Sequence, residues 1–384
     1  MQYQRQSSIN TKRDAWVEIN LDSEEKNMRL LRAMIPADIK ILAVVKADAY
    51  GHGSAMISPA LSASGADYFG TASIDEGIEL RNNRITAPIL VLGAAPVWAF
   101  DYAAKNDISL SIFLDNHIEA AELTYKKTGL RTKAHIKLDT GMNRIGAVPE
   151  KAADFIKRVQ KSKAIELEGI FTHFACAEDE QKTKEQIAVW EDILSQVDTR
   201  GLLLHCCNTA AAISGYKIKY SNMARLGIAL HGLMPELPDF AAKNKSALPE
   251  LKPAMSLKGR ITNIHTVHKG GGVSYSHTFK AERETTAASV PLGYADGVDR
   301  RLSNKIFGIL NGVKVPQIGN ITMDQMMFDI TGADAEEGDI ITLIGMDAGE
   351  TISINEWADV LGTINYELVC RLKARLPRVY TRQE

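Results

Sequence analysis

Between about Ile39 and Leu230, short apolar, β-branched runs alternate with longer segments of helical period, and the alternation repeats through the whole stretch. Strand candidates fall at 41–46, 68–72, 89–92, 108–113, 133–138, 167–172, 202–205 and 223–226. This is the pattern of a parallel α/β fold. Eight units of this kind point to a closed (β/α)8 TIM-type barrel rather than an open doubly wound sheet, because no glycine-rich dinucleotide fingerprint follows the first run. Asp22 followed by Glu25 predicts a helix N-terminus with an acidic first turn, and Asn27 to Ile35 then carries an apolar stripe.

After Pro249 the texture changes to short strands separated by glycine turns, with candidates at 255–268, 272–279, 285–291, 306–315 and 340–345. A C-terminal mainly-β domain is therefore expected after the barrel. Pro238, Pro249 and Pro253 mark 236–253 as the linker region. The expected division is a polar tail at 1–14, a barrel at 15–248 and a β-rich domain at 249–384, with the strand at 15–21 open to either. The chain's 384 residues, 45% hydrophobic and 24% charged, are enough for two such cores.

A formal charge of -2 gives no sequence-wide reason to expect nucleic acid or an anionic membrane as partner, and small neutral or zwitterionic ligands fit better. The amino-terminal stretch lacks an apolar signal core and no later run is long enough to span a bilayer, so a cytosolic location is expected. Cys176, Cys206, Cys207 and Cys370 have neither zinc nor disulfide-scaffold spacing and are expected to be reduced.

The chemistry starts where Ala43-Val44-Val45 ends in Lys46, followed by the small-residue loop Ala47-Asp48-Ala49-Tyr50-Gly51-His52-Gly53. A lysine leaving an apolar strand is partly desolvated, which makes its amine available to form an imine with a carbonyl cofactor or to take a proton. Taken alone, Lys46 reads more readily as a lysine that snorkels from a strand end, since most lysines near strand ends are solvated. The wider context decides. That segment, with Lys137-Leu138-Asp139-Thr140-Gly141-Met142-Asn143-Arg144-Ile145-Gly146, Thr172-His173-Phe174-Ala175, Asn208-Thr209, Arg225-Leu226-Gly227-Ile228, Val273-Ser274-Tyr275, Gly293-Tyr294-Ala295-Asp296-Gly297, Met323-Asp324-Gln325 and Ile364-Asn365-Tyr366-Glu367, resembles the alanine racemases in order and spacing across nearly the full chain.

The resemblance implies a pyridoxal 5'-phosphate enzyme that interconverts L- and D-alanine, supplies D-alanine for peptidoglycan and works as a head-to-tail homodimer with shared active sites. It implies Lys46 as cofactor lysine and base on one substrate face, and Tyr275, contributed by the other subunit, as base on the opposite face. Racemisation needs both, since one base alone returns the proton to the face it came from. Arg225 is implied at the cofactor's ring nitrogen, where a guanidinium donates and remains charged, with His173 bonded to it. Tyr50, Asn208, Thr209, Gly227, Ile228 and Tyr366 are implied around the phosphate. Arg144 is implied at the phenolic oxygen and the substrate carboxylate, oriented by a carbamylated Lys137, while Met323 (through its backbone) and Asp324 lie near that carboxylate and Tyr294 supports the site.

Three positions depart from the family pattern: Glu178 stands where aspartate is usual, with Arg300 as its gate partner, His231 where tyrosine is common, and Asn320 where arginine is often seen. They bear on gating and substrate range. Gly270-Gly271-Gly272 lacks the Lys-Ser/Thr of a phosphate loop, and His265 and His268 point to opposite faces of a strand, so neither a nucleotide site nor a catalytic metal is expected. Competing readings are a serine or broad-specificity racemase, a related decarboxylase, and a non-catalytic pyridoxal-phosphate-binding protein built on the same barrel.

Overall fold

The computed structural model describes residues 12–216, 218–242, 248–372 and 374–382, so most of the expected polar tail lies outside the described residues. Two compact units emerge. One contains Ser23–Ala49 and Gly53–Lys252, and the other contains the chain up to Asp22, the three residues Tyr50–His52 and everything from Pro253.

In the first unit, β2 (Lys40–Val44), β3 (Tyr68–Thr71), β4 (Ile89–Ala94), β5 (Ser109–Ile112), β6 (Thr132–Lys137), β7 (Ile165–Phe171), β8 (Leu203–His205) and β9 (Met223–Leu226) form one parallel sheet in the order β8-β7-β6-β5-β4-β3-β2-β9; β1 (Ala15–Asn20) belongs elsewhere. The two ends of that order approach each other through irregular bonds rather than a ladder: Asn222 N donates to Leu204 O at 2.9 Å, Leu204 N to Asn222 Oδ1 at 2.7 Å and Arg225 N to Cys207 O at 3.0 Å. The barrel is therefore nearly closed. All eight expected strands are present within a few residues of their expected bounds. Helices such as Asp115–Thr128, Pro149–Lys161 and Glu180–Ser195 alternate with the strands, each burying one face.

The first helix, Leu21–Met34, begins one residue before Asp22, so Asp22 sits in its first turn rather than capping it. No helix among the described residues is long and apolar enough to cross a membrane. No disulfide joins the cysteines among the described residues.

The second unit is built on β10 (Met255–Arg260), β11 (Asn263–Val267), β12 (Gly272–Val273), β13 (Phe279–Lys280), β14 (Thr285–Val290), β15 (Phe307–Leu310), β16 (Val313–Ile318), β17 (Met326–Asp329), β18 (Ile340–Asp347), β19 (Glu350–Ile352) and β20 (Arg378–Thr381). Its large sheet runs β11-β14-β17-β16-β15-β18-β10-β1-β20, with β19 paired to β18. β1 lies antiparallel to β10 and parallel to β20, so the strand at the start of the chain is a central strand of the C-terminal sheet. Lys258 reaches Glu18 across that seam at 3.0 Å. The expected run at 255–268 is broken at Ile261-Thr262 into two strands of different pairing. The run at 272–279 is interrupted by a 3-10 turn at Tyr275–His277.

Candidate active site

The barrel interior gathers cations. Lys137, the last residue of β6, is 2% exposed, and Arg225 on β9 is 3% exposed. Both stand over the Phe171 ring, Lys137 Nζ at 5.0 Å and the Arg225 guanidinium carbon at 5.5 Å from its centroid. Burial, then the neighbouring Arg225 charge, pushes the Lys137 amine down to about 7. Burial lowers Arg225 as well, to about 10, so it keeps its proton at neutral pH.

Arg225 has no carboxylate among its bonding partners. Its Nη1 donates to His205 O at 2.9 Å and faces His205 Nδ1 at 3.1 Å, while Nη2 donates to Thr172 O at 2.7 Å and Cys206 O at 3.1 Å and faces His173 Nδ1 at 3.1 Å. His173 and His205 are both held well below the ordinary imidazole value, by burial first and Arg225 second, so both are neutral acceptors of its protons. The guanidinium is thus fixed in place by neutral groups, with no carboxylate bonded to it among the described residues. The contact expected between His173 and Arg225 is present.

Lys46 follows β2 and opens a helical turn, Lys46–Gly51, of unusual hand. Ala47, Asp48 and Ala49 all have φ of 52 to 53°, the left-handed region that non-glycine residues visit singly if at all. Side chains hold the segment. Glu76 accepts from Ala47 N at 2.8 Å and from Ala72 N at 2.7 Å, and Asp48 Oδ1 accepts from Ser54 N at 2.7 Å. Strain of this kind persists where its surroundings over-determine it, as around functional side chains.

Asn208 and Thr209 follow β8, Gly227 and Ile228 follow β9, and these are the seventh and eighth strands of the barrel. Asn208 caps the Thr209–Ser214 helix through a bond from Ala211 N. Gly227 N donates to Thr209 Oγ1 at 2.9 Å, so the hydroxyl is an acceptor there and keeps its own proton to donate. Loops after these two strands are the usual phosphate cradle of such barrels. Arg144 sits exposed in the loop beyond β6. Asp139 Oδ1 folds that loop by accepting from Gly141 N and Asn143 N.

The donor set fits pyridoxal 5'-phosphate: a lysine at a strand end, a buried guanidinium without counter-carboxylate, a hydroxyl and amide cluster after the seventh and eighth strands, and Lys46, Lys137, Arg144 and Arg225 all within electrostatic reach of His173.

The remaining expected residues sit in the second unit. Tyr275 starts the 3-10 turn after β12 and is 73% exposed. Asn320 fixes that turn at the backbone: its Nδ2 donates to Tyr275 O at 2.7 Å and its carbonyl accepts from Ser274 Oγ at 2.7 Å. Tyr294 N donates to Thr322 O and Ala295 N to Met323 O, both at 3.0 Å. A Cβ at Gly293 would lie within 2.5 Å of the Thr322 and Met323 backbone, so only glycine permits this approach. Asp324 accepts from Arg375 at 2.7 Å. Tyr50 and Tyr366 meet edge to face at 6.0 Å, and burial raises both phenols, Tyr366 to about 12. Glu178 is exposed on the barrel unit and Arg300 on the C-terminal unit. His231 is fully buried, its Nδ1 2.9 Å from Glu24 Oε1.

Sequence reading passed over His135, His205, Glu76 and Glu168. His135 stands two residues before Lys137 on β6 and so shares its face, a spacing that could have drawn attention to it.

The first unit is thus a nearly closed parallel barrel carrying a strand-end lysine and a buried arginine bound to neutral acceptors, and the second unit is mainly β. Residues 19–235 match the model of the alanine racemase N-terminal domain and residues 254–380 that of the alanine racemase C-terminal domain. Alanine racemase 2 of Bacillus subtilis is 41% identical over 380 residues, covering 96% of this chain and 95% of that protein. An alanine racemase structure from Clostridium difficile aligns with TM-score 0.90 and 37% identity over 97% of both chains. A histidine racemase from Leuconostoc mesenteroides subsp. sake aligns with TM-score 0.87 and 27% identity over 97% of this chain and 99% of that one. The chain belongs to the alanine racemase family, a family of enzymes.

Proposed function

We propose that this chain is a pyridoxal 5'-phosphate-dependent alanine racemase that acts in the cytosol as a head-to-tail homodimer and supplies D-alanine for peptidoglycan. The observation that carries the reading is Arg225, buried and charged, bound only by carbonyls and neutral imidazoles. An acidic partner at that position would favour a protonated ring nitrogen and a long-lived electron sink; a guanidinium donor disfavours it and limits side reactions.

Lys46 would carry the cofactor; Asn208, Thr209, Gly227, Ile228, Tyr50 and Tyr366 would hold its phosphate; and Arg144 would serve the phenolic oxygen and the substrate carboxylate. When bound, pyridoxal phosphate withdraws electrons from the substrate α-carbon and so acidifies its proton. Lys46 Nζ then takes or returns that proton on one face, and the Tyr275 hydroxyl serves the other. The 73% exposure of Tyr275 within one chain supports its delivery to a second subunit, and Tyr294, Met323 and Asp324 would be delivered with it. Glu178 and Arg300 would form the entry gate.

Co-expression of Lys46→Ala with Tyr275→Phe tests the sharing. If sites are shared, mixed dimers contain one intact site and recover activity that neither variant has alone. If they are not, mixing restores nothing.

An amine lowered to about 7 is about half uncharged in neutral solution, and the uncharged form adds to carbon dioxide and releases a proton to give a carbamate. We therefore propose that Lys137 is carbamylated and that its new negative charge orients Arg144. A carbamate carbonyl signal in protein incubated with 13C-bicarbonate, lost in Lys137→Ala, checks this; an unmodified, protonated Lys137 refutes it.

The substrate assignment rests on a panel of L- and D-amino acids resolved by chiral chromatography, with alanine expected to turn over fastest. Because a histidine racemase shares the architecture, histidine and serine belong in the panel. Equal turnover of serine would move the reading to a broad-specificity racemase. Failure to exchange the α-proton of any amino acid for deuterium would leave a cofactor-binding protein.

A further inference from the structure

The fixed charge of Arg225 has a continuation that the racemase reading does not use. His205 Nε2 lies 2.9 Å from His135 Nδ1. Beyond it, His135 Nε2 lies 3.8 Å from Glu168 Oε2, which also accepts from Ser109 Oγ at 2.5 Å. Lys133 Nζ is 4.0 Å from the other carboxylate oxygen. Both imidazoles are fully buried and neutral, His135 pushed down to about 3 by burial first and Arg225 second.

Two features of the chain are built around this line. The β6–β7 ladder pairs Ala134 with Leu167 but His135 with Gly169, so Glu168 is the extra residue of a bulge. A bulge re-aims a side chain that regular alternation would send to the other face. The glycine that follows is the second feature. A Cβ at Gly169 would stand 2.4 Å from His135 Nδ1 and 2.5 Å from Leu203 O, so the backbone is cleared for that ring to sit against His205.

Proton bookkeeping gives the line a direction. The Arg225 guanidinium can only donate, so the Nδ1 atom of His205 accepts and its Nε2 carries the hydrogen. That hydrogen points to His135 Nδ1, which must accept, leaving the hydrogen of His135 on Nε2, toward Glu168. We propose that Glu168 is a positioning residue: the distant counter-ion of Arg225, facing the N–H end of the His205–His135 line across 3.8 Å and favouring electrostatically the two tautomers that Arg225 sets from the near end. The consequence is a guanidinium that is compensated electrostatically without any carboxylate beside it. The line is a property of the protein alone; only its effect on turnover rests on the racemase reading.

The test uses cofactor-free protein with 15N-labelled histidine and two-bond 1H–15N correlation, which reads tautomers directly. His135 and His205 are expected as neutral Nε2–H rings. Glu168→Gln, with an unchanged circular dichroism spectrum, is expected to shift the ring nitrogens of both His135 and His205, and Ser109→Ala to shift them in the same direction by less. In the loaded enzyme, Glu168→Gln is expected to lower kcat by about threefold to tenfold, the scale of a lost electrostatic contact, since His135 Nε2 stands 3.8 Å from Glu168, beyond hydrogen-bond distance, with KM little changed. An Nδ1–H tautomer at either ring, or His205 resonances unmoved in a folded Glu168→Gln protein, would overturn the proposal whatever the activity. If Glu168→Gln does not fold, the wild-type tautomers and Ser109→Ala decide the matter alone.

Discussion

The two units hold their chemical groups in opposite ways. In the barrel, Lys137 and Arg225 are 2% and 3% exposed, and side chains, ring faces and carbonyls fix the groups themselves. In the C-terminal unit, Tyr275 and Met323 are 73% and 53% exposed, and what is fixed is their backbone, by Asn320 in one case and by the Tyr294 turn in the other. The barrel therefore presents a finished half-site, whereas the β unit presents a tyrosine on a rigid mount whose ring its own unit does not cover. On the proposed reading that difference separates groups that stay from a group that must be delivered.

The largest effect expected from breaking this contrast is at Lys46. Lys46→Ala should remove racemisation by more than about 10⁴-fold, because cofactor attachment and one proton transfer are lost together. Tyr275→Phe should cost about 10²- to 10⁴-fold, the range of a single acid-base group, and should leave thermal stability nearly unchanged because the ring and its backbone mount are retained. Chiral assay in both directions with parallel melting curves reads both. Unchanged racemisation in Tyr275→Phe would end the two-base assignment and, with it, the functional side of the comparison.

Arg225→Leu should behave in the reverse manner. It leaves the buried carbonyls of Thr172 and Cys206 without their Arg225 donor, while His205 O keeps the bond from Thr172 N, and a stability loss of about 2 kcal/mol or more is expected in urea unfolding of the cofactor-free protein. A loss below about 1 kcal/mol would mean that the barrel site is less determined by its own unit than the geometry indicates.

How far the sequence carried this picture follows from the same contrast. Barrel strands were legible because both of their faces are buried, which leaves continuous apolar runs such as Ile41-Leu42-Ala43-Val44. β17 and β20 were not singled out: Met326–Asp329 is short, and Arg378–Thr381 is half-buried along its length, so neither offers such a run. The place of β1 is a matter of long-range pairing with β10 and β20, which no local pattern encodes. Among site residues, Lys46 and Tyr275 were reached only through whole motifs. The role of Asn320, noted as a departure, needed coordinates because it acts on the backbone of a residue 45 positions away. His135 and Glu168 read as ordinary strand residues until the bulge between them and the clearance at Gly169 are seen.

A further effect is expected in the pH dependence of the barrel unit. The folded value of Lys137, about 7, lies below the unfolded lysine value of 10.5, so between the two the unfolded chain holds a proton that the folded chain does not. Stability should therefore rise with pH across that window, by at most about 1.4 kcal/mol per pH unit, as the penalty of a buried ammonium is relieved. Unfolding in carbon dioxide-free buffer should show this rise, and Lys137→Met should flatten it. An equal slope in both proteins would mean that the lysine is not the group that titrates.

The smallest effect sharpens the comparison most, because it asks what the barrel spends to fix Lys46. Ala47 holds φ of 52° immediately after that lysine, a conformation that costs an L-residue roughly 1–2 kcal/mol. Glycine removes the strain but adds roughly 0.5–1 kcal/mol of unfolded-chain entropy, so Ala47→Gly should stabilise the fold by about 1 kcal/mol or less. The Glu76 bond to the amide of residue 47 does not need the methyl group and should survive the change. If the handed turn exists only to aim Lys46, turnover should fall modestly as glycine admits other backbone states, while stability rises. If stability falls instead, the methyl group is itself part of the packing, and the turn is held by contacts as well as by the carboxylates of Glu76 and Asp48.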